Sequence, residues 1–493
     1  MLLEKLLRHF DYFRMYGEKE IEISGIQFDS RKIELGNLFV AVRGIGADGH
    51  QYISKAIEKG ASAIVCEDLP SEISSKITYI IVRNSRKALA QLAHCWYDFP
   101  TKKMYICGIT GTNGKTTCTF LIKSIFEDAG YKTGIIGTTG IFIGDKILTA
   151  SHTTPDPFEL CKIFSEMREE GISHVAMEVS SHSLDQYRVF GINFSAALFT
   201  NLSLDHLDYH ENMINYANAK MKLFESLGEN GLAIVNSDDE YSDQMLKAAM
   251  CYNKIKVGRT AGADYKIEDE VFSLTGSIFK LKNSSNKAVE LYTQLPGNFN
   301  IENVALVAAF ALSFGISTEQ LQSSLNNAVG APGRMSKYIL KSGAIAFIDY
   351  AHTPDALGKA LLTCKKLLKS AHFNTNKLIC VFGCGGDRDK SKRPEMGEIA
   401  VNYADFTIIT NDNSRTENPD DIVNDIIKNI KYGVIAYRDK YLIETDRRKA
   451  IGYAAGLAQK NDIILIAGKG HEDYQIIGTE KFKFDDYEEI SKF

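Results

Sequence analysis

The chain has 493 residues, 44% hydrophobic and 24% charged, the balance of an ordinary globular protein long enough for about two to four cored domains. Its formal net charge of −5 excludes a global basic field of the kind that holds nucleic acid. Nine scattered cysteines without a C-x-x-C pair argue against zinc and disulfide frameworks and for a reducing compartment.

The opening stretch, MLLEKLLRHFDYFRMYGEKE, is too charged for a secretory signal core, and no apolar stretch is long enough to span a bilayer, so a cytoplasmic protein is expected. Apolar runs then alternate with helix-like stretches, the pattern of an α/β fold. Residues 1–98 carry the strand-like runs NLFVAVRG, ASAIVCED and ITYIIV and end at a charged, Pro-containing hinge, YDFPTKK. Residues 99–334 open with KMYICGIT and hold most of the polar motifs. Residues 335–493 hold four apolar runs, AIAFIDY, KLICVFG, ADFTIIT and DIILIAG, each followed by a polar or Gly-rich loop. Ligands of open parallel sheets bind beyond the carboxyl ends of the strands, so these loops are where chemistry is expected.

In the second region, GITGTNGKTT follows an apolar run and precedes the amphipathic pattern CTFLIKSIFEDAG. Strand, glycine loop, Lys-Thr and helix make a phosphate-loop arrangement, although Ile109 breaks the strict G-x-x-x-x-G-K spacing. Gly111 and Gly114 let backbone N–H groups crowd round an anion, Lys115 can reach the outer phosphates, and Thr116 can hold Mg²⁺. Two further strand ends are expected to carry acids and imidazoles: Glu178, Ser180, Ser181 and His182 on one, and Asn201, Asp205, His206, Asp208 and His210 on the other. Glu178 is a natural oxygen ligand for Mg²⁺ and His206 a less usual one. His182 and His210 read equally well as hydrogen-bonded structural residues, and no G-x-S-x-G elbow surrounds Ser180 to make a triad.

GITGTNGKTT, TTPDP, MEVSSHSLDQYR, TNLSLDHLDYH, YANAK, PGNFNIEN, APGRM, DYAHTPDAL, GCGGDRDKSKRPEMG and AGKGHEDYQ occur in this order. The series resembles the Mur ligases over nearly the whole chain, and within them the ligases that add the third residue to UDP-N-acetylmuramoyl-L-alanyl-D-glutamate. The resemblance implies three α/β domains: an N-terminal UDP-binding domain (1–98), a central P-loop-type ATPase domain (99–334) and a C-terminal Rossmann-like domain (335–493). It places ATP on Gly111, Thr112, Asn113, Gly114, Lys115, Thr116 and Thr117, its adenine on Asn300 and Asn303, and its closing contacts on Arg334, Asp349 and His352. Ser30 in FDSRK, with Thr153, Thr154, Ser180, Gln186 and Arg188, resembles the family's contacts to the UDP-muramoyl peptide; FDSRK also reads as a turn closed by an Asp–Arg pair.

The implied reaction makes an amide. ATP converts a carboxylate into an acyl phosphate, an amine attacks it, and the protein positions reactants and neutralises phosphate charge. Lys115, Thr116, Glu178 and His206 would do the neutralising with Mg²⁺, two ions in this family. The lysine ending Y-x-x-A-K is carboxylated by CO₂ in the family, and here that residue is Lys220; Lys222 reads as an ordinary exposed helical lysine.

In the third region, GGDRDKSKRP, NDNSRTENP and GKGHEDYQ should converge if one sheet carries them, bringing together Arg388, Asp412, Asn413, Ser414, Arg415, Gly468 and Glu472. Arg415 can grip a carboxylate with a bidentate fork while Glu472 takes an ammonium, which suits meso-diaminopimelate or a close analogue such as lanthionine. The family motif accompanying diaminopimelate is D-N-P-R; here Ser414 replaces the proline. Alternatives are an L-lysine-adding ligase, the ligase adding D-alanyl-D-alanine, a folylpolyglutamate synthetase-like ligase, a slow nucleotide switch, and a surface pair between Arg415 and Glu417. The protein is expected to be monomeric.

Overall fold

The computed structural model describes residues 1–493 apart from 45, 151, 274–275, 329, 371–374 and 433–439. Three large sheets follow one another along the chain. The first has five strands: Thr78–Ile81, Ala63–Cys66, Asn37–Val40 and Gly25–Gln27 lie parallel, and Arg14–Tyr16 pairs antiparallel on Thr78–Ile81. The runs NLFVAVRG, ASAIVCED and ITYIIV form three of these strands; the other two are three-residue strands of mixed exposure without an apolar run to announce them. The YDFPTKK stretch is an ordered turn, with Asp98 and Phe99 at positive φ and a 3₁₀ turn over Pro100–Lys103.

The second sheet has eleven strands, with seven parallel strands at its centre and antiparallel hairpins at both edges. Tyr105–Thr110 lies between His174–Glu178 and Ala196–Phe199, so three carboxyl tips are neighbours where the strand order reverses. These central strands are buried along their length because helices cover both faces, which explains their near-continuous apolar runs. One covering helix, Asn298–Phe314, is apolar almost all round and correspondingly buried.

The third sheet has six strands, ordered Ser336–Ile339, Ile345–Asp349, Ile463–Ala467, Leu378–Phe382, Phe406–Ile409 and Tyr441–Ile443, all parallel except the first. Four of them are the apolar runs; the two edge strands are half exposed and lack the signal. A separate hairpin, Tyr474–Ile477 with Glu480–Lys483, docks through Ile477 beside Arg415. All nine cysteines are buried thiols, and no helix among the described residues is long and apolar enough to cross a membrane.

Burial sets one global property. His94, His210 and His471 are each pushed down to about 4 from the ordinary 6.5, chiefly because burial disfavours the imidazolium. The folded state thus binds fewer protons than the unfolded chain between about pH 4 and 6.5, and stability rises with pH across that window. The melting temperature should therefore fall steadily from pH 7 to pH 5, with little change from pH 7 to pH 8; a flat profile would show that these rings are not held neutral.

Candidate active site

Residues 111–114 leave the strand tip as a tight loop and the helix Lys115–Asp128 begins at once, with Gly114 at φ 90° as its cap. Gly111 has φ 148°, and a Cβ there would stand 1.9 Å from Thr200 Oγ1, so the position takes only glycine. Gly111→Ala should weaken ATP binding by about tenfold or more through displacement of the loop, read by nucleotide titration on a variant that still melts cooperatively. Unchanged affinity would dissociate the loop geometry from nucleotide binding.

Lys115 Nζ donates to the carbonyls of Gly111 and Thr112, both at 2.8 Å. Lys220, on the helix Met213–Glu225, donates to the same Gly111 carbonyl at 2.9 Å from a buried position above the Tyr216 ring. Two amines therefore meet at one oxygen. Burial lowers the Lys115 pKa and pushes Lys220 well below the ordinary lysine value, with Lys115 itself the next cause at Lys220.

Glu178, 1% exposed at its strand tip, accepts from the Thr138 amide at 2.9 Å and the Thr138 hydroxyl at 3.2 Å. His206 has φ 55° and lies 3.6 Å from Asp205; burial keeps its ring neutral, with a pKa down to about 4. His210 bonds Ser181 Oγ at 2.9 Å, and His182 meets the His206 ring edge-on and the Tyr209 and His210 rings at a tilt. No three His, Cys, Asp or Glu groups among the described residues form a metal cage. Thr116 Oγ1, Glu178 and a neutral His206 nitrogen are the donor types of a site that shares its cation with phosphate, as Mg²⁺ sites do.

Thr154, Ser180, Gln186 and Arg188 gather beyond the Glu178 tip. Arg188 donates to the Gln186 side chain at 3.1 and 2.7 Å and to the Thr154 carbonyl at 3.1 Å. The Thr154 hydroxyl bonds the Glu178 carbonyl at 2.9 Å and receives the Ser180 amide at 3.1 Å, while Thr153 pairs with Thr138 at 3.0 Å. Ser30 is far back in the first sheet's unit, buried in the turn whose Asp29 and Arg31 form the expected ion pair at 2.8 Å. The Arg31 guanidinium holds the Asp29 carboxyl down to about 2. Lys222 is not the plain surface residue expected: it pairs with Asp185 at 2.8 Å.

A cleft lies between the phosphate loop, the start of Asn298–Phe314 and the third sheet, lined by Asn113, Gly114, Thr117, Asn300, Asn303, Arg334 and Asp349 among others. Asn303 packs against Gly114 so closely that a Cβ there would stand 2.3 Å from its Oδ1. Arg334 reaches Thr116 Oγ1 at 3.3 Å and lies over Tyr350, while Asp349 caps the Met335 and Ala351 amides at 2.8 and 2.9 Å. His352 is turned to the Tyr350 carbonyl at 2.8 Å. Asp355, missed in the sequence, bonds Asn113 at 3.2 Å and Ser203 at 3.1 Å and so joins the two sheets' units. A wider hollow opens at the amino ends of the same central strands, near Ser195 and Asn253. It contains none of the loop residues, and we place the chemistry in the smaller cleft.

The three C-terminal loops do converge. Gly386 N bonds the Asn413 carbonyl at 2.8 Å, and a Cβ on Gly386 would stand 1.9 Å from Ser414 O. A Cβ on Gly468 would come within 2.6 Å of Asp412 Oδ2. Arg415, half-buried and at φ 49°, donates to the Gly386 carbonyl at 2.7 Å and makes no ion pair among the described residues. The surface-pair alternative fails because Glu417 is occupied by the buried Arg393 at 2.9 and 3.0 Å and by Lys390 at 3.0 Å. Arg388 is exposed at the rim, with its Nη1 on the Asp387 carbonyl. Glu472 is less available than expected: its Oε2 already accepts from Asn413 at 2.8 Å and from the buried Lys469 at 3.0 Å.

A phosphate loop at a strand-order reversal, closed over by a second parallel sheet, defines a nucleotide-dependent enzyme. The chain matches the models of the Mur ligase family catalytic domain (22–97), the Mur ligase middle domain (109–311) and the Mur ligase glutamate ligase domain (333–470). It is 42% identical to UDP-N-acetylmuramoyl-L-alanyl-D-glutamate--2,6-diaminopimelate ligase 1 of Clostridium acetobutylicum, covering 100% of this chain and 99% of that one. The enzyme of that name from Listeria monocytogenes is also 42% identical, over 99% and 97% of the two chains. A solved structure of a ligase of the same name superposes with a TM-score of 0.70 at 32% identity, over 99% and 98%. The chain belongs to the Mur ligase family, and it is an ATP-dependent ligase. Folylpolyglutamate synthase of Mycobacterium tuberculosis, 16% identical with a TM-score of 0.62, shares the fold over 78% of this chain.

Proposed function

We propose that this enzyme joins meso-diaminopimelate, or a close diamino-dicarboxylate, to UDP-N-acetylmuramoyl-L-alanyl-D-glutamate at the expense of ATP, as a cytoplasmic monomer. The observation that carries the amino-acid choice is Arg415, a guanidinium at a loop junction that no acid in the described chain neutralises. Full-length relatives named for the diaminopimelate reaction support it. Boundaries near 98 and 334 divide the acceptor, ATP and amino-acid domains.

Each side chain has a task set by charge. Lys115, on loop carbonyls until ATP arrives, turns to its outer phosphates, and Arg334 approaches from the third sheet beside Thr116. Thr116, Glu178 and His206 would hold Mg²⁺, which when bound supplies the positive charge that offsets the transferring phosphoryl group. Asn300 and Asn303, which line the cleft, would take the adenine. Thr153, Thr154, Ser180, Gln186 and Arg188 hold the acceptor peptide so that its terminal carboxylate meets the phosphate, with Ser30 at the uridine end. A carboxylate is a poor electrophile; as an acyl phosphate it yields to the amine through a tetrahedral intermediate. Lys220, buried and disposed to be neutral, suits addition of CO₂, and the carboxylate so formed would be a further cation ligand.

Phosphate release should become rapid only with ATP, the UDP-muramoyl dipeptide and a diamino acid together. In an amino-acid panel, diaminopimelate or lanthionine should exceed L-lysine. Fast turnover without an amino acid would point instead to a nucleotide switch.

A further inference from the structure

The amino-acid pocket contains an ammonium of its own. Lys469 is fully buried; its Nζ donates to Glu472 Oε2 at 3.0 Å and Asn413 Oδ1 at 3.2 Å and lies 3.7 Å from Asp412 Oδ1. Asn413 closes the ring by donating to the same Glu472 oxygen at 2.8 Å and taking the Ile476 amide at 2.9 Å. The Tyr474 ring lies 5.5 Å from the ammonium. No step of the ligation described above uses this lysine.

Its effect is on the charge balance. Asp412 and Glu472 are the pocket's two acids; Lys469 and Arg415 are its two bases. Behind them the fully buried Arg447 is neutralised by Asp486 at 2.7 Å, and Arg388 stands at the exposed rim, where solvent screens it. These four side chains therefore sum to zero, and Asp387, Asp473 and Lys481 stand exposed around them as Arg388 does. A zwitterionic distal end, one carboxylate and one ammonium, adds no net charge and gives Arg415 its partner. L-Lysine would bring one uncompensated positive charge into a cluster without surplus negative charge and leave the half-buried Arg415 on the neutral Gly386 carbonyl, without an anionic partner. Desolvated like charges are costly, and discrimination built on repulsion is as effective as discrimination built on attraction.

We propose that Lys469 is a specificity-determining residue: its fixed ammonium neutralises one of the two pocket acids, so that the site accepts a distal group of zero net charge and turns away a lone ammonium. The inference rests on the diamino-dicarboxylate reading above. Its test compares kcat/KM for meso-diaminopimelate and for L-lysine in wild type, Lys469→Met and Lys469→Gln. The glutamine keeps a donor for Glu472 without charge and serves if the methionine variant is insoluble. The diaminopimelate-to-lysine ratio should fall by about tenfold or more in each soluble variant, because the pocket is left with surplus negative charge. A purely structural lysine would lower both substrates alike. An unchanged ratio, or loss of both activities in a variant with a wild-type melting profile, overturns the proposal. If wild type uses neither substrate, or prefers lysine, the functional reading itself has failed, and that shows in the wild-type arm alone.

Discussion

Lys220→Ala should lower kcat by about 10²- to 10³-fold while leaving the melting temperature near that of wild type, the scale expected when one preorganised charge is taken from a phosphoryl- or acyl-transfer site. The reason is visible in the resting geometry. Lys115 and Lys220 share the Gly111 carbonyl, and among the described residues no acidic side chain hydrogen-bonds to either. Two ammoniums so placed repel each other in a buried setting, and the pKa shifts of both run downwards. A neutral amine is what attacks CO₂; the new N–C bond forms as the nitrogen gives up a proton to solvent, and the resulting carbamate would turn repulsion of Lys115 into attraction. Short carboxylic acids should therefore restore part of the lost activity by occupying the emptied space. Bicarbonate depletion should slow the wild type and not the variant. The sign with pH follows: as pH falls the amine is protonated and the modification is lost, so activity should decline on the acid side before the fold does. A fully active Lys220→Ala enzyme, or one unmoved by carboxylic acids and bicarbonate alike, would leave Lys220 as a buried structural lysine.

The parts of this molecule legible in the sequence are those with short-range signals. Buried parallel strands read as continuous apolar runs, so Tyr105–Thr110, His174–Glu178 and the four inner strands of the third sheet are evident, and their polar tips follow directly. Edge strands such as Ser336–Ile339 and Tyr441–Ile443 lack a covered face and so lack the pattern. Partner choice is harder still, because it is made across long stretches of chain. Nothing local says that Glu178 is held by Thr138, forty residues earlier, or that Asn113 meets Asp355, 242 residues on. The charged C-terminal loops illustrate this best: several arginines and acids stand close in sequence, and only the fold assigns Glu417 to Arg393, Asp486 to Arg447 and Glu472 to Lys469.

Once those pairs are assigned, two loop guanidiniums are left without an acid partner among the described residues, Arg388 at the exposed rim and the half-buried Arg415, and removing Arg415 should have the second large effect. Arg415→Ala should cost about 2–5 kcal/mol in transition-state binding of diaminopimelate, about 30- to 4,000-fold in kcat/KM, because a desolvated bidentate carboxylate contact is lost. The competing local partner, Glu417, is held by Arg393 and Lys390, and the Arg393 contact comes first among the causes that keep its carboxyl down to about 2. Arg415 rests with Nη1 on the Gly386 carbonyl, a neutral acceptor that a carboxylate can outbid. Its backbone is in the left-handed region at φ 49°, a conformation an arginine adopts only when its surroundings impose it, here through the Ile476 carbonyl taking the Arg415 amide at 3.2 Å. The loop thus spends conformational energy to aim one cation. Ser414 is buried against Gly386 in the position where the family motif has proline, so packing between the loops replaces the rigidity of the ring. Kinetics should separate the roles: the loss with diaminopimelate should be large, the loss with L-lysine small, and the preference of the wild type erased. Lanthionine has the same two ends and should fall in parallel with diaminopimelate. A variant that kept the wild-type preference would mean that Arg415 braces the loop and the carboxylate is read elsewhere, and Arg388 at the rim would be the next residue to replace.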